Sequence, residues 1–338
     1  MHRLVLPLLL TVACNRAPRT DTFVPLDVDT DADTDADTDS DTDTDSDTDS
    51  DTDSDTDTDT DLDCWLDADG DGYGDPNISV SCSESVSSLD NSDCSDDDPS
   101  IHPAQIERCD PDGRDNDCNP GTIDAGLITR GTLDLNYASL DTALADPSAS
   151  ILYVCGGATT TDNRFPISSS ISRSVTLRGI SSSPVVGLPV LYGTTDLLLQ
   201  MEPHATLDTL VRIRGFDIDG ESSNSCLKAG RIDLELDDVH LHHCDGQQGA
   251  AVFCVECGLD VENSSFRENH TDNGGGAIYA GDTLGPVQLT DVAFTTNTSD
   301  GDGGALLLRD GLGLTADNVS FEDNEAAHGG AIQAEGQV

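Results

Sequence analysis

Apolar and polar positions follow three different rules along this chain. Leu4 to Leu10 form a short apolar run broken by Pro7, behind a basic start at His2 and Arg3. From Asp27 to Asp63 aspartate stands at every odd position, 19 in all, so neither face of this period-two stretch is apolar. From about Ala125 onward, short stretches of alternating apolar and polar residues recur every 25 to 28 residues. Each rule predicts a different element. The first run is too short to span a bilayer and predicts a cleaved export signal. The second cannot pack as a strand. Its like charges repel and extend it, and it has too little apolar area to offset its ordering entropy, so a disordered spacer is expected. Fully stretched at ~3.3 Å per residue, that spacer reaches about 120 Å. The third rule predicts an all-β solenoid, in which each coil buries its inward side chains only by stacking on the next.

The solenoid repeat can be read residue by residue. Phe266-Arg-Glu-Asn269 recurs as Phe294-Thr-Thr-Asn297 and Phe321-Glu-Asp-Asn324, with the phenylalanines 28 and 27 residues apart. Gly-Gly-Ala-Ile at Gly275 recurs at Gly303 (with Leu) and at Gly329. Leu241 to Cys244 and Gly249 to Val252 form a weaker copy, and Val211 to Gly220 and Val175 to Ile180 fit as earlier turns. Phe266, Phe294 and Phe321 are expected to stack, and Asn269, Asn297 and Asn324 to form a hydrogen-bonded ladder. This F-x-x-N and G-G-A-[ILV] pattern resembles the polymorphic outer-membrane protein repeat, and the resemblance implies a right-handed parallel β-helix. Asn136 to Gly157 reads as its start, with a short amphipathic helix as a cap. The chain stops just after a fresh Gly-Gly-Ala-Ile. Such an open coil edge is expected either to dock on a partner or to continue in a longer product.

Between spacer and solenoid the apolar pattern thins and acids cluster. Asp67, Asp69 and Asp71 are spaced like the first three ligands of a calcium loop. Gly72 stands at its sharp turn, Tyr73 is placed to offer a carbonyl, and Asp75 follows. The twelfth position, a glutamate in an EF-hand, is Ile78. Closing ligands must therefore come from further along, from Asp93, Asp96, Asp97 and Asp98, or from Asp110, Asp112, Asp115, Asp117 and Asn119. The stretch from Cys64 to about Asp124 resembles the MopE-related metal-binding repeat and the thrombospondin type 3 calcium repeat. Asp67 to Gly74, Asp93 to Asp96, Pro103 to Cys109 and Asp115 to Asn119 carry the likeness. Ser95 stands where that pattern has aspartate, and Pro111-Asp112 is an insertion. The expected metal set is Asp67, Asp69, Asp71, Tyr73, Asp75, Asp93, Asp96, Asp98, Asp115 and Asp117, with Ca2+ as a structural ion. So small a core needs staples. Cys82–Cys94 and Cys109–Cys118 are the simplest pairs, with Cys64 left over to reach another module.

Charge and location complete the expectation. The 338 residues carry 15 basic and 66 acidic side chains, a net −51, which argues against nucleic acid and anionic membrane faces as partners. Thr11-Val12-Ala13-Cys14 resembles a bacterial lipobox, with Thr11 where that motif has an aliphatic residue. This implies Cys14 as the lipidated mature N-terminus, and the alternative is an ordinary signal with a chance cysteine. The expected organisation is a signal at 1–13, a lipidated start and linker at 14–63, a calcium-binding disulfide module at 64–124, and the β-helix at 125–338. The expected role is a non-catalytic, outer-membrane lipid-anchored surface protein that binds a surface protein or glycan. The alternative is a carbohydrate-active β-helix enzyme using acids such as Asp217, Asp219, Asp237 and Asp238 with Arg214. Trp65, the sole tryptophan, lies outside the helix and offers that enzyme no sugar platform. His240-Leu-His-His-Cys244 leaves two readings open. One is disulfides among Cys226, Cys244, Cys254 and Cys257. The other is zinc at His240, His242, Cys244 and the Cys254–Cys257 pair.

Overall fold

The computed structural model describes residues 63–338, except 123, 160–162, 182–186, 194–196, 203–208, 222–224, 311–312 and 337–338. The signal, Cys14 and the aspartate spacer lie outside the described residues. Those described fall within one compact unit, Asp59–Val338.

From Ile128 onward the chain is a β-solenoid of about six turns. Coil-to-coil pairing is parallel throughout, apart from the first strand Ile128–Arg130, which pairs antiparallel with Ile151–Cys155. The strand Val175–Ile180 stacks on Leu210–Asp219, which stacks on Asp233–His242. Val175, Val211 and Leu234 share one register position, and Leu177, Ile213 and Leu236 the next inward one. All six are buried, and their β-branched or γ-branched side chains fill the interior. The second face runs Val252, Ile278, Leu306 and Ile332 in register, the apolar position that closes each Gly-Gly-Ala unit. The expected short helix is Leu140–Ala145. Ser139 Oγ accepts from Thr142 N as its N-cap, and the helix buries Leu140, Ala143 and Leu144 against the first coil.

The phenylalanines and asparagines stack as expected. Phe266, Phe294 and Phe321 lie in one register, with ring centroids 4.9 and 5.0 Å apart and interplanar angles of 9° and 6°. Asn269 Nδ2 donates to Asn297 Oδ1 at 2.9 Å, and Asn297 Nδ2 donates to Asn324 Oδ1 at 2.9 Å. The same oxygens accept from the backbone N–H groups of Asn269 and Asn297. The ladder continues one coil back, where Cys244 N donates to Asn269 Oδ1 at 3.0 Å.

The glycine pair serves two purposes. Gly275 and Gly303 hold φ of +66° and +63°, which strains a residue with a Cβ. Gly276 and Gly304 have ordinary φ but no room, since a Cβ on either would sit 2.0 Å from the carbonyl oxygen of the next coil. A further device was absent from the sequence expectation. Left-handed residues form three columns, one of Gly215, Asp238, Asn263, Asp291 and Asn318, one of His243, Glu268, Thr296 and Asp323, and one of Arg231, Glu256, Asp282 and Asp310. Each turns the chain within or just after a strand. In Asp233–His242, inward positions shift from Leu234 and Leu236 to Val239 and Leu241 across Asp238.

The acidic module packs on the start of the solenoid. Cys64–Leu66 is the central strand of a three-stranded antiparallel sheet with Ser79–Val80 and Ser87–Ser88. This sheet overturns the simplest disulfide pairing. Pairing Cys64 with Val80 brings Cys82 alongside, and the bond is Cys64–Cys82. The segments after Asp93 and Asp115 fold against each other, so Cys94 bonds Cys118. The bond between module and solenoid comes from Cys109, not from Cys64, and ends at Cys155. Proximity along the chain was the wrong guide, because which segments meet is set by the sheet and the acidic loops.

Candidate metal centre

The loop from Asp67 to Asp75 is built by its own backbone. Asp67 Oδ1 accepts from Gly70 N at 2.8 Å and Asp71 N at 3.1 Å, and Asp67 Oδ2 accepts from Gly72 N at 3.2 Å. Asp69 Oδ1 accepts from Asp71 N and Asp71 Oδ1 from Tyr73 N. Gly70 and Gly72 supply the left-handed turns, at φ of +83° and +99°. These bonds fix one oxygen of Asp69 and of Asp71 to the loop and leave the other, Oδ2, buried without a hydrogen-bond partner.

The carboxylates that close this loop come from Asp93 and Asp96. Asp69, Asp93 and Asp96 bring one oxygen each within 4.8 Å of one another, and Asp67, Asp69 and Asp71 do the same. Asp93 is 2% exposed. Its Oδ1 accepts from Ser95 N at 2.8 Å, and its Oδ2 is bare. Asp96 is tied to the loop through Ala68 N at 2.9 Å. Ile78, in the twelfth position, points outward and is 44% exposed.

A second cluster lies where the module meets the solenoid. Asp110 Oδ2 and Asn116 Oδ1 are also buried without partners, and the Glu107 carboxylate meets the carboxyl of Asp124. Again the other oxygen is held by backbone: Asp110 Oδ1 accepts from Asp112 N and Gly113 N, and Glu107 Oε1 from Arg108 N and Asn116 N. Glu107, Asp115 and Asp124 line a hollow of about 430 Å³ with Cys155 and Ile180. Burial, then the hydrogen bond and charge of Glu107, push the Asp124 carboxyl up to about 8. Burial likewise raises Asp69 and Asp93 above the ordinary carboxylate range.

Bare oxygens, like charges and raised carboxyls describe sites short of positive charge. A carboxyl raised in the fold binds its proton more tightly there than in the unfolded chain. Its contribution to stability is therefore lost as pH rises from about 4 through the folded value. In chelator, the melting temperature is expected to fall between pH 5 and pH 8. Saturating divalent cation should remove that fall, and melting curves at both pH values check it.

The other expected ligands are placed as follows. Asp75 Oδ1 accepts from Asn77 N and Nδ2 at 2.8 Å. Tyr73 stacks its ring on His102 at 4.9 Å. Asp115 Oδ1 accepts from Asn119 N, and Asp117 Oδ1 accepts from Thr122 Oγ1 at 2.7 Å, which holds the Asp117 carboxyl low. Asp98 is turned to Arg114, whose Nη1 donates to its Oδ2 at 2.9 Å, while Ser100 takes Oδ1. Asp98 thus forms an ion pair with Arg114. Glu107, Asn116 and Asp124 were not among the expected ligands.

On the solenoid, the four cysteines are paired as Cys226–Cys244 and Cys254–Cys257. Oxidised sulfur is no thiolate, so zinc held by these cysteines is overturned. His240 Nδ1 faces Ser265 Oγ. Arg214 lies 3.9 Å from Glu235 and 4.0 Å from Asp237, whereas Asp217 and Asp219 turn toward His242.

Comparison with known families agrees with both halves. Residues 93–124 match the family model of the MopE metal-binding motif, named for copper binding. Residues 263–281 and 318–335 match the Chlamydia polymorphic membrane protein repeat. The first match covers Asp93, Asp96 and the Glu107–Asp124 cluster, and the second covers the coils of Phe266 and Phe321. No curated protein and no solved structure matches the chain. A metal-binding motif followed by these repeats on a β-solenoid fits a surface protein.

Proposed function

We propose that this is a lipid-anchored, non-catalytic protein of the bacterial outer-membrane surface. Cys14 carries the lipid, and the aspartate spacer is a leash. Ca2+ holds the proximal module shut, and the solenoid presents its flank to a surface protein or glycan. The observation that carries this reading is the set of buried carboxylate oxygens left bare while their partner oxygens are pinned by backbone N–H groups. Hard oxygen donors suit Ca2+. The copper in the matched family's name would prefer imidazole or thiolate ligands, whereas the Cys94 and Cys118 sulfurs beside Asp93 are joined in a disulfide and the bare donors are oxygens. Calcium supplies the missing positive charge there, and these acids do nothing further in this reading. The second cluster adjoins Cys155, so an ion there also fastens module to solenoid.

Calorimetric titration of the purified chain with Ca2+, beside thermal unfolding with and without chelator, tests this. Saturable binding at a few sites is expected, with a lower melting temperature in chelator. Absence of heat and of any chelator effect would overturn the calcium assignment.

A further inference from the structure

Two imidazoles meet where the strand Asp233–His242 ends. His242 Nε2 lies 2.6 Å from Asp217 Oδ1, and His243 Nε2 lies 2.7 Å from Glu268 Oε2. An ionised carboxylate only accepts, so each Nε2 carries a hydrogen. In a neutral ring the remaining nitrogen is then a lone pair. Those two nitrogens, His242 Nδ1 and His243 Nδ1, face each other at 2.8 Å. Asp219 Oδ1 lies 3.4 Å from His243 Nδ1 and 3.7 Å from His242 Nδ1. Three electron-pair donors therefore converge on one point, and something positive must sit among them.

We propose that Asp219, His242 and His243 form a site for a divalent transition metal of the Zn2+ type, with Asp217 and Glu268 orienting the two rings. Tetrahedral zinc with ~2.0 Å bonds spaces its ligand atoms by about 3.3 Å. The two distances to Asp219, 3.4 and 3.7 Å, lie just above that value, and the ring nitrogens need open by only about 0.5 Å. Imidazole nitrogen with one carboxylate is a donor set for zinc, copper or nickel rather than for calcium. The outer carboxylates supply a further feature of such centres, since a metal-bound histidine donates its far N–H to a carboxylate.

Three successive coils build the site, and each part is held. Asp219 stands beside His242 in the register of Leu210–Asp219. Its Oδ1 accepts from Glu221 N at 2.9 Å, and Arg164 Nη1 reaches its Oδ2 at 3.4 Å. His243 occupies the left-handed turn at φ +54°. The next residue, Cys244, is locked by its bond to Cys226 and by the asparagine ladder. The His242 side chain is 12% exposed and that of His243 37%, so the centre is sheltered yet reachable from solvent. Three protein ligands leave a fourth position for water or for a donor from a partner.

The test uses the full chain without a polyhistidine tag, in excess Ca2+ to occupy the oxygen sites. Zn2+ is titrated against a chromophoric chelator, and Co2+ is added separately as an optical probe. One Zn2+ per chain is expected, together with the visible absorption of a four-coordinate Co2+ centre. His243→Ala and Asp219→Asn should each weaken Zn2+ by tenfold or more and remove the Co2+ band. Glu268→Gln, on the exposed side, should weaken it by about tenfold. His328→Ala, in a distant histidine–aspartate pair, should bind as the parent does. Failure of the parent to bind one Zn2+ would mean that the rings share only a proton, and would overturn the proposal. Unchanged affinity in both Glu268→Gln and His243→Ala would place any bound metal elsewhere and overturn it equally.

Discussion

Asp93→Asn is expected to move stability in opposite directions with and without calcium. The substitution keeps the shape and the oxygen that accepts from Ser95 N, and it removes one charge from the crowd formed with Asp69, Asp71 and Asp96. Without cation, that charge is a liability: it is 2% exposed, its Oδ2 has no partner, and Asp71 and Asp96 repel it more than His102 relieves it. In chelator the variant should therefore melt above the parent. With Ca2+ the order should reverse, because a ligand held at 100 times its Kd contributes about 2.7 kcal/mol, most of which the variant forfeits. Four melting curves decide it. Parallel shifts in both conditions would mean that Asp93 has a packing role and does not meet a cation.

Phe294→Ala should be the most damaging single change in the solenoid, at about 3–5 kcal/mol. Phe294 is fully buried and sandwiched between Phe266 and Phe321 at 4.9 and 5.0 Å, so truncation empties a cavity and breaks two stacked pairs at once. Phe321, partly buried, has one such neighbour among the described residues and should lose less. A solenoid couples each coil mainly to the next, so the defect should also split unfolding into two steps, with the coils beyond Phe294 released first. Denaturant titration of Phe294→Ala, Phe321→Ala and Phe294→Leu checks this. Equal losses at positions 294 and 321 would contradict the stacked-core account.

The repeat was legible wherever one residue type does one job in every coil. Phe266, Phe294 and Phe321 fill the same slot, and Asn269, Asn297 and Asn324 bridge the same two backbones, so the chemistry recurs in writing. The left-handed columns were not legible. Gly215, Asp238, Asn263, Asp291 and Asn318 share a conformation without sharing a residue type, and only the register aligns them. In the acidic module, local spacing was informative, because Asp67, Asp69 and Asp71 are arranged by bonds within five residues. Glu107, Asn116 and Asp124 come together only after the chain folds across Cys109, which no short pattern records. That Asp98 pairs with Arg114, 16 residues on, was likewise not written in any short pattern.

The overlapping disulfides also carry a mechanical consequence. Suppose tension is applied between Cys64 and the solenoid. From Cys64 to Cys155 the backbone makes 91 steps, enough for about 300 Å of slack if the module came undone. The bonds Cys64–Cys82, Cys94–Cys118 and Cys109–Cys155 route the strain differently. The stretched path crosses only the 12 steps from Cys82 to Cys94 and the 9 from Cys118 back to Cys109. With the three disulfide crossings of 5.2, 5.5 and 5.5 Å included, even a fully melted module thus lengthens to no more than about 85 Å. Under shear, the module behaves as a short coupling that cannot unravel into a long tether.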